Sequence, residues 1–181
     1  MAKTFLALVV AFGVMLAGAL APVYAAAAAD GTLAREKVAQ KLVAAGEALL
    51  AEDKPADAIM RFESALVANP KSTAAYVGLG RANGRIERPN AALKYYAVAL
   101  SIDPNDRAAL EAQSIAFLDQ GKINDAEQNL ARLKRLCAAG CAELDRVNAA
   151  LKLALDKTED KLLGRTDEAR KTAHAGHTPG L

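Results

Sequence analysis

Pro70 and Pro104 stand 34 residues apart, and the residues around them repeat at the same interval. Ala58, Phe62 and Ala65 precede the first proline at the offsets at which Ala92, Tyr96 and Ala99 precede the second. Upstream, Leu42 and Gly46 recur as Tyr76 and Gly80. A third unit keeps Leu110, Phe117, Gly121-Lys122, Ala126 and Leu130 in register and closes near Cys137 and Ala138 without a proline. The chain therefore divides into tandem units at 39–72, 73–106 and 107–140. A period of this length marks a stack of supersecondary units, each too small to bury its apolar face alone and each completed by its neighbours.

The units read as pairs of helices. Hydrophobic residues make up 52% of the chain but aromatics only 4%, with no Trp, so the apolar content is mostly Ala and Leu, which favour helix over β-branched strand packing. The spacing predicts helices over 36–52, 55–68, 73–86, 89–102, 107–119 and 123–136. Pro55 and Pro89 suit the first turn of a helix, where the missing N–H has no partner anyway. Asp53 and Asn124 offer turn or capping oxygens, and Pro70 and Pro104 stop the second helices. Gly46 and Gly80 fall inside first helices at a cost of about 1 kcal/mol each against Ala, which a close approach by the second helix would justify. Ala58 and Ala92 are expected opposite them, with Phe62, Tyr96, Leu42 and Tyr76 filling the wider gaps towards the next unit. Leu144, Val147, Leu151, Ala154 and Leu155 form an apolar stripe at helical spacing, so 142–156 is expected to cap the last unit.

In this pattern of small residues at a crossing and proline at the exit, the chain resembles the tetratricopeptide repeat over about two thirds of its length. It departs from that pattern at Leu49 and Asn83, where an aromatic is usual, and at Ser114, where Gly or Ala is. The resemblance implies an all-α superhelix, an α-solenoid of about three helix-turn-helix repeats plus the capping helix, with a domain spanning 36–156. It also implies a concave groove lined by first helices, at positions that correspond here to Val43, Glu47, Val77, Arg81, Arg85, Glu111 and Ile115. That mixture suits an extended peptide or a partner helix, with Arg81 and Arg85 offered to carboxylates. The Lys and Asn set of the family's carboxylate clamp is absent, so binding of chaperone tails is not implied.

The ends read differently. Lys3, the uncharged run Phe5–Leu20, Pro22 and the small residues around Ala25 have the form of a cleavable signal peptide over 1–25. The run is shorter than the roughly 20 residues that span a bilayer, so no stable membrane insertion is expected after its removal. A flexible lead over 26–35 and a disordered tail over 157–181 complete the chain. Export places Cys137 and Cys141 in an oxidising compartment, where a disulfide is favoured. Gly140 lets the chain turn between them, and so short a loop contributes about 2 kcal/mol on the chain-entropy view. The spacing is one residue longer than a redox Cys-x-x-Cys, and no His follows as haem attachment requires.

Catalytic chemistry finds no support. His174 and His177 are the only histidines, both in the expected tail, where nothing holds further metal ligands rigidly; no metal site and no cofactor is expected. The serines lack a Gly-x-Ser-x-Gly turn, and Gly78, Gly80 and Gly84 miss the dinucleotide spacing. The 23 basic and 21 acidic residues give a formal charge of +2, which argues against nucleic acid as a partner. The expectation is a periplasmic or secreted, non-catalytic scaffold of the bacterial cell envelope that binds a protein or peptide. The alternative is a structural subunit that self-associates into a homo-oligomer through its repeat faces or cap.

Overall fold

The computed structural model describes residues 31–175, and the expected signal peptide and final residues 176–181 lie outside them. Within that span are seven helices and no strand. They are α1 (31–51), α2 (Pro55–Ala68), α3 (Thr73–Arg85), α4 (Pro89–Ile102), α5 (Arg107–Asp119), α6 (Ile123–Leu136) and α7 (Ala142–Ala175). Consecutive helices from α2 onward pack on one another; α3 also meets α5, and α5 meets α7. First helices thus stack on first helices along one side of the array. No helix among the described residues is long and apolar enough to cross a membrane.

The turn inside each unit is the same backbone motif three times. Asp53, Glu87 and Gly121 adopt positive φ of 55°, 58° and 71°. The next residue donates its amide back into the preceding helix, Lys54 to Leu49 at 2.8 Å, Arg88 to Asn83 at 2.9 Å and Lys122 to Phe117 at 2.8 Å. These bonds satisfy last-turn carbonyls that a helix end leaves without partners. Pro55 and Pro89 then open α2 and α4. No side chain caps α2, α4 or α6; of the two residues expected to serve turn or cap, Asp53 stands in the turn itself and Asn124 lies inside α6. Capping occurs between units instead. Ser72 accepts the amide of Ala75, and Asp106 that of Ala109.

The core explains the glycines, with a correction. Gly46 and Gly80 do meet the second helix of their own unit closely, but the atoms nearest to them are the rings of Phe62 and Tyr96 rather than Ala58 and Ala92. A Cβ on Gly46 would stand 2.6 Å from the Phe62 ring, one on Gly78 2.3 Å from the same ring, and one on Gly80 2.2 Å from Tyr96. Phe62 is therefore wedged between its own unit and the next, buried with Leu50, Ala58, Leu79 and Ala82. Tyr96 is packed alike with Val77, Ala92, Ala99 and Ala109, with Ala112 against it. In the third unit Leu130 stands at the ring position, and the smaller side chain leaves space for Ser114 where Gly46 and Gly80 stood. Ser114 is fully buried and its hydroxyl donates to the Leu110 carbonyl at 2.7 Å. Asn83, at another departure from the repeat pattern, is buried and donates to the Leu79 carbonyl at 2.8 Å.

α7 caps the array as expected, through Val147 buried among Leu110, Leu130 and Leu133 with Leu144 and Leu151 beside it. It does not end at 156. The helix runs on to Ala175, so residues 157–175 of the expected disordered tail are helical, and so are residues 31–35 of the expected lead. Composition was a poor guide because helix nucleation is the costly step. Once Val147 and its neighbours are packed, a segment rich in Lys, Glu, Leu and Ala extends the helix cheaply.

Candidate binding groove

Adjacent first helices are tied by charge pairs that span one repeat. Glu47 on α1 accepts from Arg81 on α3 at 3.0 Å, and Glu111 on α5 accepts two bonds from Arg146 on α7, at 2.5 and 2.7 Å. Arg85 donates to the Leu50 carbonyl and lies 3.4 Å from Asp53. The Glu111 side chain is only 16% exposed, and its two bonds are the main reason that the Arg146 guanidinium is held above its ordinary pKa, with the charge attraction next. Water and salt screen the exposed guanidinium groups, so such pairs contribute little to stability. Their larger effect is to fix long side chains along one face.

Two adjoining depressions lie on that face. The upper, about 400 Å³, is bounded by Glu47, Arg81 and Arg85 over Leu50, Ala51 and Gly84. The lower, about 470 Å³, is bounded by Glu111, Glu143 and Arg146 over Ala108, Ala112 and Ile115. Arg81 and Tyr96 belong to both. Tyr96 reaches the groove from a second helix by threading its ring past Gly80. Burial, the largest cause, pushes its phenol up to about 12, with Arg81 opposing and Asp119 assisting.

Among known proteins, no protein-family model and no curated protein matches the sequence. Solved structures do match. The chain is similar to the first TPR domain of human RPAP3 (TM-score 0.60, 18% identity, 69% of this chain and 98% of that one). It is also similar to the Sgt2 TPR domain of Aspergillus fumigatus (0.59, 20%, 79% and 85%). A third is the Yersinia enterocolitica type III secretion chaperone SycD in complex with a peptide of the translocator YopD (0.55, 20%, 66% and 93%). The fold is that of a tetratricopeptide-repeat domain.

Within this TPR fold, Glu47, Arg81 and Arg85 line the upper depression, and Arg81, Glu111 and Ile115 the lower. Val77 does not belong with them: it is 1% exposed and part of the Tyr96 cluster. Val43 is half-buried and packs against the first two units' cores. Transfer by repeat offset places a residue on a helix but not at the depth that the superhelix gives it. Sequence reasoning missed Tyr96, Glu143 and Arg146. The signal for Arg146 was present, since it lies one repeat after Ala112, which marks α7 as another first helix. Cys137 and Cys141 close the junction before α7 with their sulfurs 2.12 Å apart, and the Glu143 carboxylate lies within 4.8 Å of both. His174 lies in α7, and His177 is outside the described residues.

Proposed function

We propose that this protein is a non-catalytic scaffold of the bacterial cell envelope that binds an extended peptide or partner helix along the two depressions. The observation that supports this most directly is the pair of adjoining depressions themselves, with apolar residues on the floor and guanidinium groups on the rim. Arg81 and Arg85 stand beside Glu47 around the upper one, Arg85 also lying 3.4 Å from Asp53, and their remaining N–H groups suit a ligand carrying a carboxylate. The similar SycD structure holds a translocator peptide, in keeping with this reading. The signal-like residues 1–25 motivate export to the periplasm or beyond, where Cys137 and Cys141 would remain a disulfide.

A labelled octapeptide library, presented to the mature chain from Ala26, tests the reading. Arg81→Glu with Arg85→Glu should reduce capture at least about tenfold, roughly the effect of losing 1.4 kcal/mol of binding energy, while circular dichroism stays unchanged. Equal capture by this variant would remove the groove as the binding site. The alternative, self-association, draws on apolar side chains left outward on second helices, notably Met60 at 62% and Val67 at 86% exposure. Light scattering decides it: a monomer at working concentration excludes the homo-oligomer.

A further inference from the structure

The first two junctions between units turn on an Asx-Pro pair. Asn69 and Asp103 each accept the amide two residues on, from Lys71 and Asn105, at 2.9 Å. Ser72 and Asp106 then cap the helices α3 and α5. The repeat register puts Cys137 and Ala138 where the Asx-Pro pairs stand and Gly140 where the caps stand. The third junction thus lacks the acceptor, the proline and the cap. The backbone turn itself is common to all three, with Ser72, Asp106 and Gly140 donating their amides to the Asn69, Asp103 and Cys137 carbonyls at 3.1, 3.2 and 2.8 Å; what the third adds is a left-handed Gly140 with φ of +89° and the two bonded sulfurs.

The start of α7, just beyond that junction, is a wall of the groove. Cys141 immediately precedes α7, and Glu143 and Arg146 from its first turns line the lower depression. Arg146 holds Glu111 on α5, the helix that supplies the floor residues Ala108, Ala112 and Ile115. Any swing of the start of α7 therefore changes the shape of the lower depression and breaks the Arg146–Glu111 pair.

We propose that the Cys137–Cys141 disulfide positions this wall, doing at the third junction what the Asx-Pro turn does at the first two. The lower depression keeps its shape while the bond is closed and loosens when it opens. Opening requires a dithiol reductant: the S–S bond breaks, two electrons and two protons pass to the cysteines, and the dithiol leaves as a disulfide. The consequence for ligand binding rests on the groove reading above, but the geometric claim does not.

Methyl and amide NMR of the mature chain, before and after dithiothreitol, tests the proposal. Reduction should shift the Ala112 and Ile115 methyl resonances and speed exchange of the Ala142–Val147 amides at least about tenfold, the mark of local rather than global opening. Leu79 and Ala58, in the Phe62 cluster, should not move. Cys137→Ser with Cys141→Ser should reproduce the reduced spectrum. Cys137→Asp with Ala138→Pro and Cys141→Ser writes the Asp103-Pro104 turn into the third junction; it should restore the oxidised shifts and ignore dithiothreitol. A simple staple would lower the melting temperature yet leave the groove methyls in place. Unchanged Ala112 and Ile115 signals in the folded, reduced protein would overturn the proposal, as would failure of the Asp-Pro variant to restore them. If no octapeptide binds even the oxidised chain, the groove reading falls, and the methyl shifts still decide the positioning claim.

Discussion

The Phe62 ring occupies the space that a side chain on Gly78 would need, 2.3 Å from where its Cβ would lie. The two residues belong to different units, so the glycine is a condition for stacking rather than for the helix that contains it. The same ring faces Gly46 from the other side, which ties three helices through one aromatic side chain.

Gly78→Ala should therefore destabilise the protein although Ala is the better helix former. Overpacking costs about 1–3 kcal/mol against a propensity gain of about 1 kcal/mol. Phe62→Leu in the same chain should recover part of the loss, since the shorter side chain lacks the ring atoms that the new methyl would meet. A double-mutant cycle by urea denaturation measures the coupling, and strict additivity would contradict the wedge.

Gly84→Ala should act in the opposite direction. A Cβ there meets nothing within 4 Å, so the helix gains about 0.5–1 kcal/mol without a clash. The added methyl lies on the floor of the upper depression. Higher stability with weaker octapeptide capture is the expected pair of results.

Glu87 and Gly121 hold the same position in successive turns at positive φ, but only one is glycine. Glu87→Gly removes a left-handed strain of about 1–2 kcal/mol and should raise stability by up to about 1.5 kcal/mol, after about 0.4–1 kcal/mol is subtracted for the added freedom of the unfolded chain. Thermal denaturation reads this directly. A lower melting temperature would mean that the Glu87 side chain contributes something the turn geometry does not reveal.

Stability should fall at high pH through Tyr96. Its phenol is raised to about 12 from an ordinary 10, so the folded protein keeps a proton that the unfolded chain gives up. The contribution is complete below pH 10 and is lost as pH climbs to about 12; two pKa units correspond to about 2–3 kcal/mol. Tyr96→Phe keeps the ring, as Phe62 does one unit earlier, and should flatten this part of the pH profile. An unaltered slope between pH 10 and 12 would place the titration elsewhere.

Most helix limits were legible because they are local. Pro55, Pro89, Pro70 and Pro104 act on their own residues and immediate neighbours, and α2, α4, α5 and α6 begin and end where the sequence predicts. The groove was only partly legible. Glu47, Arg81, Arg85, Glu111 and Ile115 lie on it, but Val77 is sunk in the core and Tyr96 emerges from a helix expected to supply core alone. The end of α7 was misread because composition measures a segment in isolation, and helix growth from a packed start is cooperative.

By itself the sequence determined a period, the helices within it and the need of each unit for a neighbour, since these arise from backbone preference and apolar spacing along the chain. Only the tertiary structure decided which side of each first helix faces the groove, which glycine receives which ring, and that Arg81 and Arg146 meet Glu47 and Glu111 one repeat away. Those relations depend on how far each unit rotates against the next. That angle is set by the summed packing of Phe62, Tyr96 and Val147 across unit boundaries, which no local stretch of residues specifies.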